Sequence, residues 1–210
     1  KQYASLDQGC FQFLKQAKFT GKKDRVVVYY TDQKNQPHLV FVGLGQEKSA
    51  SLERIRLAVA LAVKQVRELE EKQVAVDLES FIVNRLNAQD VAEAVSEACL
   101  LTLYKFDKYK TDTPKTTNLE KIVFCLEASR HAAAGKKGTT LGVVSAEANN
   151  IARDFIFEPA DALYPESYAA RVKSICQKES LTCRILSEAD LKREKMNAIL
   201  SDYIAQMRNK

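Results

Sequence analysis

The sequence lacks the clustered cysteines and histidines that build metal sites and disulfide frameworks. The five cysteines are Cys10, Cys99, Cys125, Cys176 and Cys183. They are odd in number, have no CxxC spacing and stand away from any histidine cluster, which predicts reduced thiols in an intracellular compartment, cytoplasmic or mitochondrial. Cys99 and Cys125 lie in apolar patterns, so we expect small buried hydrophobes and not nucleophiles. The two histidines, His38 and His131, have no matched partner in the sequence, which favours structural or solvated roles.

Long apolar runs and complete phosphate-binding motifs are also missing. No stretch of about 18 apolar residues occurs, so the sequence predicts no membrane span. The glycines of Gly43-Leu44-Gly45 follow a predicted strand, where glycine backbone can approach an anion. The third glycine of a dinucleotide fingerprint would fall near Lys48, and no GKS or GKT loop occurs. A structural turn is therefore favoured over a nucleotide site, and we assign no catalytic, cofactor-binding or metal-binding residue.

Charge of one sign is not concentrated anywhere. The chain has 32 Lys and Arg against 27 Asp and Glu, a formal net charge of +5, and both signs are interspersed as on solvated helix faces. The short basic segments at residues 105–110 and 136–137 do not form a basic stripe interleaved with aromatics. For residues 104–110 we favour aromatic packing at a domain junction over nucleic-acid binding, so nucleic acid is not an expected partner.

The sequence does contain a globular composition with alternating strand and helix patterns. Its 210 residues are 46% hydrophobic and 28% charged, which suits one large domain or one domain with an appendage and argues against disorder. β-Branched and aromatic runs predict strands at residues 25–31, 38–43, 74–78 and 122–126. Helical spacing of apolar residues predicts one helix from Ser51 and a second after residues 87–90. This alternation predicts an α/β fold with a central mixed sheet flanked by helices.

The composition changes at residues 131–140, where small residues and two glycines interrupt the pattern. We place a domain boundary there. Beyond it the sequence predicts three helices, over residues 141–157, 168–178 and 188–196, and one short strand, over residues 182–186. These elements are too few to close a core of their own. The predicted organisation is an N-terminal α/β domain at residues 1–130, a linker with a connecting helix at residues 131–157, and a partial second α/β domain at residues 158–210.

Three segments resemble those of one enzyme family, in the family's order and spacing. Residues 42–56 resemble its VGLGK strand-to-helix turn, and residues 97–111 resemble its EGxxLxxYxFDxYK segment. Residues 150–165, NIARDFIFEPADALYP, resemble the ARDLxNxPAN and TPE signature that opens the catalytic domain of leucyl aminopeptidases. The shared landmarks are Ala152, Arg153, Asp154, Pro159 and Ala160. From about residue 25 to about residue 200 the chain resembles the N-terminal part of the cytosol-aminopeptidase family.

The third segment departs from the family pattern where Asn and Thr side chains would be expected to bond nearby backbone. The departures are Phe157 with Glu158, Asp161 and Tyr164. They put the chemistry of this turn in question.

The resemblance implies a fold and an activity for the parent family. Its N-terminal domain is macro-domain-like, a fold that elsewhere binds ADP-ribose. Its catalytic domain holds two divalent metal ions such as zinc or manganese, on motifs like VGKGxTFDSGG and NTDAEGR, which polarise the peptide carbonyl. Neither motif occurs here, so we expect neither peptidase activity nor a metal cofactor from this chain alone. Family members assemble as hexamers, which implies protein partners in a homo- or hetero-oligomer.

Two functions stay open. The favoured one is a non-catalytic leucyl-aminopeptidase-like protein, a pseudoenzyme that acts as an interaction or structural subunit, because residues 202–210 have the polar, helix-prone character of a natural chain end. The alternative is an N-terminal fragment of an active two-metal aminopeptidase that releases N-terminal residues from peptides. Residues 150–210 carry apolar helix faces without a second layer of their own. Either the N-terminal domain folds back over them or another chain covers them, and the predicted linker at residues 131–140 favours another chain.

Overall fold

Helices and strands alternate along the chain, and the predicted α/β class is confirmed. The computed structural model describes residues 8–31, 37–112, 119–127 and 129–201. The helices are α1 (Gln8–Gln16), α2 (Leu52–Glu68), α3 (Ala88–Leu103), α4 (Ser129–Phe157), α5 (Pro165–Lys178) and α6 (Glu188–Arg193). The strands are β1 (Val26–Tyr29), β2 (Leu39–Val42), β3 (Gln73–Asp77) and β4 (Lys121–Cys125).

The strands pair in both directions. β1 and β2 run antiparallel, with Val26 opposite Val42, and β3 and β4 run parallel, with Gln73 opposite Lys121. All four strands lie where the sequence predicts them, and within the described residues they form two two-stranded ladders. The fifth predicted strand, over residues 182–186, is wrong. Residues 181–187 are irregular, because the described residues offer them no strand to pair with and an unpaired strand is not stable in water.

Helix α2 begins after Ser51 as predicted, whereas α3 begins at Ala88 with Asn87 as its cap, earlier than the predicted start after residues 87–90. The Ser51 hydroxyl accepts a hydrogen bond from the Arg54 N–H at 3.2 Å, and the Asn87 side-chain oxygen accepts one from the Asp90 N–H at 2.9 Å. Each bond satisfies a backbone donor that the first helical turn leaves without a partner, typically worth about 1 kcal/mol. The start of both helices is therefore encoded locally.

The apolar faces of α2 and α3 form the main core with residues from the end of β3. The buried members of this core are Ile55, Val59, Val63, Leu78, Phe81, Val91, Ala92, Val95, Ala98 and Cys99. Side chains of β2, β3 and β4 pack against it from the sheet side, among them Val42, Val76 and Phe124. This burial is the principal stabilising contribution to the fold, at about 25 cal/mol for each Å² of apolar surface removed from water.

Helix α4 corrects the prediction of a break at residues 131–140. These residues are helical, and α4 runs without interruption from Ser129 to Phe157. Gly135, Gly138 and Gly142 are buried on one face of it. A Cβ on Gly138 would lie 2.0 Å from the Gln89 carbonyl oxygen, and one on Gly142 would lie 2.1 Å from the Ser96 hydroxyl. The glycines therefore do not end the helix; they allow α4 to approach α3 more closely than any side chain would permit.

The chain divides into two compact units, which we call unit 1 (residues 1–151) and unit 2 (residues 152–210). Unit 1 contains the strands and the core described above. Unit 2 contains α5 and α6, and Leu200 is the only residue in its described range, 152–201, that is buried. The domain organisation inferred from the sequence stays a prediction.

Candidate functional site

A charged cluster joins three helices of unit 1. Arg56 on α2 donates from Nε to Glu97 Oε2 on α3 at 2.6 Å, and the Ser145 hydroxyl on α4 donates to Glu97 Oε1 at 3.0 Å. Both oxygens of the largely buried Glu97 carboxylate thus have a donor, which offsets the cost of burying the charge. Arg56 and Glu97 belong to two different segments that resemble the aminopeptidase family, and the cluster holds these segments together.

Residues 104–110 neutralise much of their own charge. Lys110 Nζ donates to Asp107 Oδ1 at 2.6 Å, and this hydrogen bond lowers the pKa of Asp107. Lys108 Nζ lies 5.2 Å from the centre of the Tyr109 ring, and the Phe106 and Tyr109 rings lie 5.9 Å apart. These local contacts support aromatic packing over nucleic-acid binding for this segment. That the packing takes place at a domain junction stays a prediction.

Both histidines contact polar neighbours. His131, which the sequence places in a linker, lies in the first turn of α4, with its Nδ1 3.0 Å from Glu79 Oε1. Arg130 Nε donates to the other ring nitrogen at 3.2 Å. Within the described residues, Glu79 Oε2 is buried without a hydrogen-bond partner. His38 Nδ1 accepts from the Thr31 N–H at 3.2 Å, so its contact is structural.

The described residues do not form a metal site. They contain no group of three His, Cys, Asp or Glu side chains that could hold an ion. The His131 and Glu79 pair has only two such groups, fewer than the three or four ligands of a typical zinc centre. The residues present therefore do not fit the two-metal centre of the resembled family, and we derive no catalytic step through metal ions.

The cysteines differ in burial. Cys99 is buried in the core, as predicted, and this burial raises the pKa of its thiol from 9.0 to about 12, so Cys99 is no nucleophile at neutral pH. Burial also raises the pKa of Cys176, and a hydrogen bond with Cys183 adds to the shift. The prediction that Cys125 is buried is wrong. Strand β4 alternates, and Cys125 lies on its exposed face with Val123 while Phe124 packs on the core.

In the turn that follows α4, other side chains make the bonds that the amide and hydroxyl groups of the family pattern would be expected to make. Glu158 accepts from Arg171 Nη1 on α5 at 2.8 Å. The Ser167 hydroxyl accepts from the Tyr164 N–H at 3.0 Å and donates to the Ala162 carbonyl at 3.0 Å. The local turn chemistry that the departures put in question is thus supplied by an ion pair and by Ser167.

Unit 2 exposes large apolar side chains, which we call the unit 2 apolar set. The set is Ile156, Phe157, Leu181, Ile185, Met196 and Ile199. Ile156 is 78% exposed and Leu181 is 62% exposed. Single exposed apolar residues are common on proteins; what distinguishes unit 2 is that its described range combines these six with one buried residue, Leu200.

Sequence comparisons match the chain to aminopeptidases. The profile of the cytosol aminopeptidase family, N-terminal domain, matches residues 5–113. The probable cytosol aminopeptidase of Persephonella marina is 26% identical over 199 residues, which are 93% of this chain and 39% of that protein. The probable cytosol aminopeptidase of Treponema denticola is 29% identical over 197 residues, 93% of this chain and 40% of that protein. The chain thus spans about two fifths of the length of these curated relatives.

Two solved structures are similar to this chain in fold. The bottromycin maturation enzyme BotP, in complex with Mn, is 25% identical, with a TM-score of 0.72 over 86% of this chain and 36% of that one. A tomato leucine aminopeptidase mutant is 17% identical, with a TM-score of 0.68 over 87% of this chain and 35% of that one, a likeness that shows the fold alone. In the described part of the chain, no helix is both long and apolar enough to cross a membrane.

Proposed function

Because this chain belongs to the cytosol aminopeptidase family, we propose that it is a non-catalytic, structural part of an aminopeptidase-like assembly. Unit 1 is the folded scaffold, and unit 2 docks on aminopeptidase-family polypeptide, which is a second copy of this chain in a homo-oligomer. In the favoured form of this proposal the chain is a pseudoenzyme subunit with a homo- or hetero-oligomeric partner. A compartment inside the cell, cytoplasmic or mitochondrial, is part of the proposal, and the relatives' names support the cytosol.

The exposed unit 2 apolar set is the observation that carries the proposal. Moving these side chains out of water would gain about 25 cal/mol for each Å² buried, which provides a driving force for docking. Unit 1 differs in having a buried core of its own, although it also exposes apolar side chains such as Phe11, Leu57 and Val144.

The alternative function is that of an N-terminal fragment of an active two-metal aminopeptidase that releases N-terminal residues from peptides. The comparisons favour it as strongly, since the match covers 93% of this chain and only 39% of a relative named for that activity. In this case the unit 2 apolar set packs on the metal-binding half of the same enzyme. The intact mass of the natural polypeptide, together with its C-terminal peptide, distinguishes the two functions: a mass near 23.6 kDa supports the subunit, and a larger precursor supports the fragment.

An association experiment tests the docking surface. We expect the 210-residue chain to form oligomers at rising concentration in sedimentation velocity, and the double variant Ile156→Lys, Ile185→Lys to remain monomeric. The matched control is Gln177→Lys, which adds charge at an exposed polar position of α5. A wild-type monomer whose amides over residues 168–200 are strongly protected from hydrogen exchange would contradict the proposal, because unit 2 would then need no partner.

An activity assay tests the non-catalytic part. We expect the purified chain not to hydrolyse leucine p-nitroanilide with added zinc, manganese or magnesium, because the sequence lacks both family motifs for the metal ions. Turnover that a chelator abolishes, in a preparation free of contaminating peptidase, would contradict this expectation.

A further inference from the structure

Unit 1 has a cavity of about 420 Å³ where the turn after β2 leads towards α2. Three cationic side chains line it, and no acidic side chain of the described residues does. The cationic residues are Lys22, Lys23 and Arg54, and the polar side chains that accompany them are Thr20, Gln46 and Ser49. The cavity is thus a concave surface with positive charge and several hydrogen-bond donors.

The backbone that forms the cavity is held in place by hydrogen bonds between two turns. The Gly45 N–H donates to the Gly21 carbonyl at 2.9 Å, and the Gly43 N–H donates to the Arg25 carbonyl at 2.8 Å. A Cβ on Gly43 would lie 2.0 Å from the Lys22 carbonyl oxygen, so glycine is required for this approach. The lysine-bearing turn therefore has a fixed position against the turn that follows β2.

The positive charge is only partly compensated. Arg54 Nη1 lies 3.7 Å from Asp24 Oδ1. Among the described residues, no ion pair joins Lys22 or Lys23 to an acid. Lys22 and Lys23 therefore carry most of the uncompensated charge, and a bound anion relieves the repulsion between them.

We propose that this cavity binds a small phosphate-bearing compound. A phosphate group carries a charge of about −1.5 to −2 and three acceptor oxygens, which suits several cations and donors at once. A carboxylate carries one charge and two oxygens, and one arginine fork or one lysine can satisfy it. Several cationic residues that line one concave surface therefore favour phosphate over a single carboxylate. The proposal is independent of the docking of unit 2.

The test is calorimetric titration of the full 210-residue chain with inorganic pyrophosphate. We expect saturable binding that weakens with salt, and about tenfold weaker binding in each of Lys22→Ala and Lys23→Ala, since each loses a charge-assisted contact. The matched control is Lys64→Ala, which removes the same charge from an exposed position elsewhere on α2 and leaves the affinity within about twofold. No heat of binding, or an equal loss in Lys64→Ala, would overturn the proposal.

Two further titrations define the ligand class. Citrate carries a comparable charge on carboxylates, and we expect it to bind at least about tenfold more weakly than pyrophosphate. Equal affinity for citrate would overturn the assignment of phosphate. A single-stranded oligothymidylate that binds more tightly than pyrophosphate, and whose affinity falls in Lys23→Ala, would overturn the small compound in favour of a nucleic-acid backbone.

Discussion

Unit 1 and unit 2 are both built from capped amphipathic helices, yet they differ in how their apolar side chains are covered. In unit 1, Ile55 of α2 is fully buried, whereas Ile156 at the end of α4, in unit 2, is 78% exposed. Helix α6 of unit 2 has a serine cap like that of α2, so the quality of the local helix signals does not account for the difference. The presence of a second layer does, because a helix face becomes a core only when another element packs on it.

Truncating the same side chain in each unit should give the largest contrast. We expect Ile55→Ala to lower the free energy of unfolding by about 3 to 4 kcal/mol, since it leaves a cavity in the core. The matched variant Ile156→Ala should change it by less than about 0.5 kcal/mol, since the side chain is already in water. Urea unfolding followed by circular dichroism measures both. Comparable losses in the two variants would show that unit 2 has a core of its own.

The close approach of α3 and α4 is a second feature confined to unit 1. Replacement of glycine by alanine inside a helix normally stabilises it by about 1 kcal/mol. We expect Gly138→Ala to destabilise the chain by about 2 kcal/mol, because the new methyl group meets the Gln89 carbonyl at 2.0 Å and the helices must separate. Lys137→Ala, at the neighbouring exposed position, is the control. A stabilised Gly138→Ala variant in urea unfolding would contradict the described packing.

The Glu97 cluster should contribute somewhat less. Replacing Glu97 by alanine leaves Arg56 and Ser145 without their acceptor, and we expect a loss of about 1 to 2 kcal/mol in the free energy of unfolding. Glu93→Ala on the same helix removes a carboxylate whose side chain is not part of the cluster, and it serves as the control. The thermal midpoint of each variant provides the measurement. Equal midpoints for the two variants would show that the cluster does not stabilise unit 1.

The effect that is smallest at neutral pH is a dependence on pH that comes from Cys99 and appears only above about pH 9. Because its folded pKa is about 12 and its ordinary value is 9.0, the folded chain retains a proton that the unfolded chain loses between these values. Cys99 therefore stabilises the fold fully below pH 9, and this contribution falls by up to about 1.4 kcal/mol per pH unit as the pH rises towards 12. Cys99→Ala should show a shallower decline over the same range in urea unfolding. Parallel curves for the two proteins would show that Cys99 is not buried in solution.

The periodicity of the sequence predicted most of unit 1. The four strands and the start of α2 follow from β-branched runs and from the cap at Ser51, which are local signals, whereas α3 starts at Ala88, inside the polar segment after which it was predicted. The exposure of Cys125 could have been predicted too, because strand alternation places it on the same face as Lys121 and Val123. Sequence and structure agree where the deciding interaction lies within a few residues.

Two features depend on contacts between distant segments, and no local pattern predicts them. The glycines of residues 131–140 predicted a break, because their role depends on distant residues: Gly138 approaches Gln89 of α3, and Gly135 approaches Leu126. The cationic cavity forms where residues 20–23 lie against residues 44–54. The sequence pattern alone therefore indicates only ordinary surface charge for the lysines. For the functional site, the sequence resemblance identified the family and helical spacing predicted apolar faces over residues 150–210, while the particular exposed side chains of unit 2 follow from the structure.

The glycine face of α4 has a consequence for the order of folding. Three glycines give the first half of this helix a low intrinsic helicity, at about 1 kcal/mol each relative to alanine, while α2 and α3 have caps and continuous apolar faces. The first half of α4 should therefore become helical only after α3 offers a surface for it. We expect φ-values near zero for exposed alanine-to-glycine changes at Ala132 and Ala133, and higher values for equivalent changes in α3. The close packing of α4 on α3 would then form after the folding transition state. It would therefore slow unfolding and leave the folding rate almost unchanged.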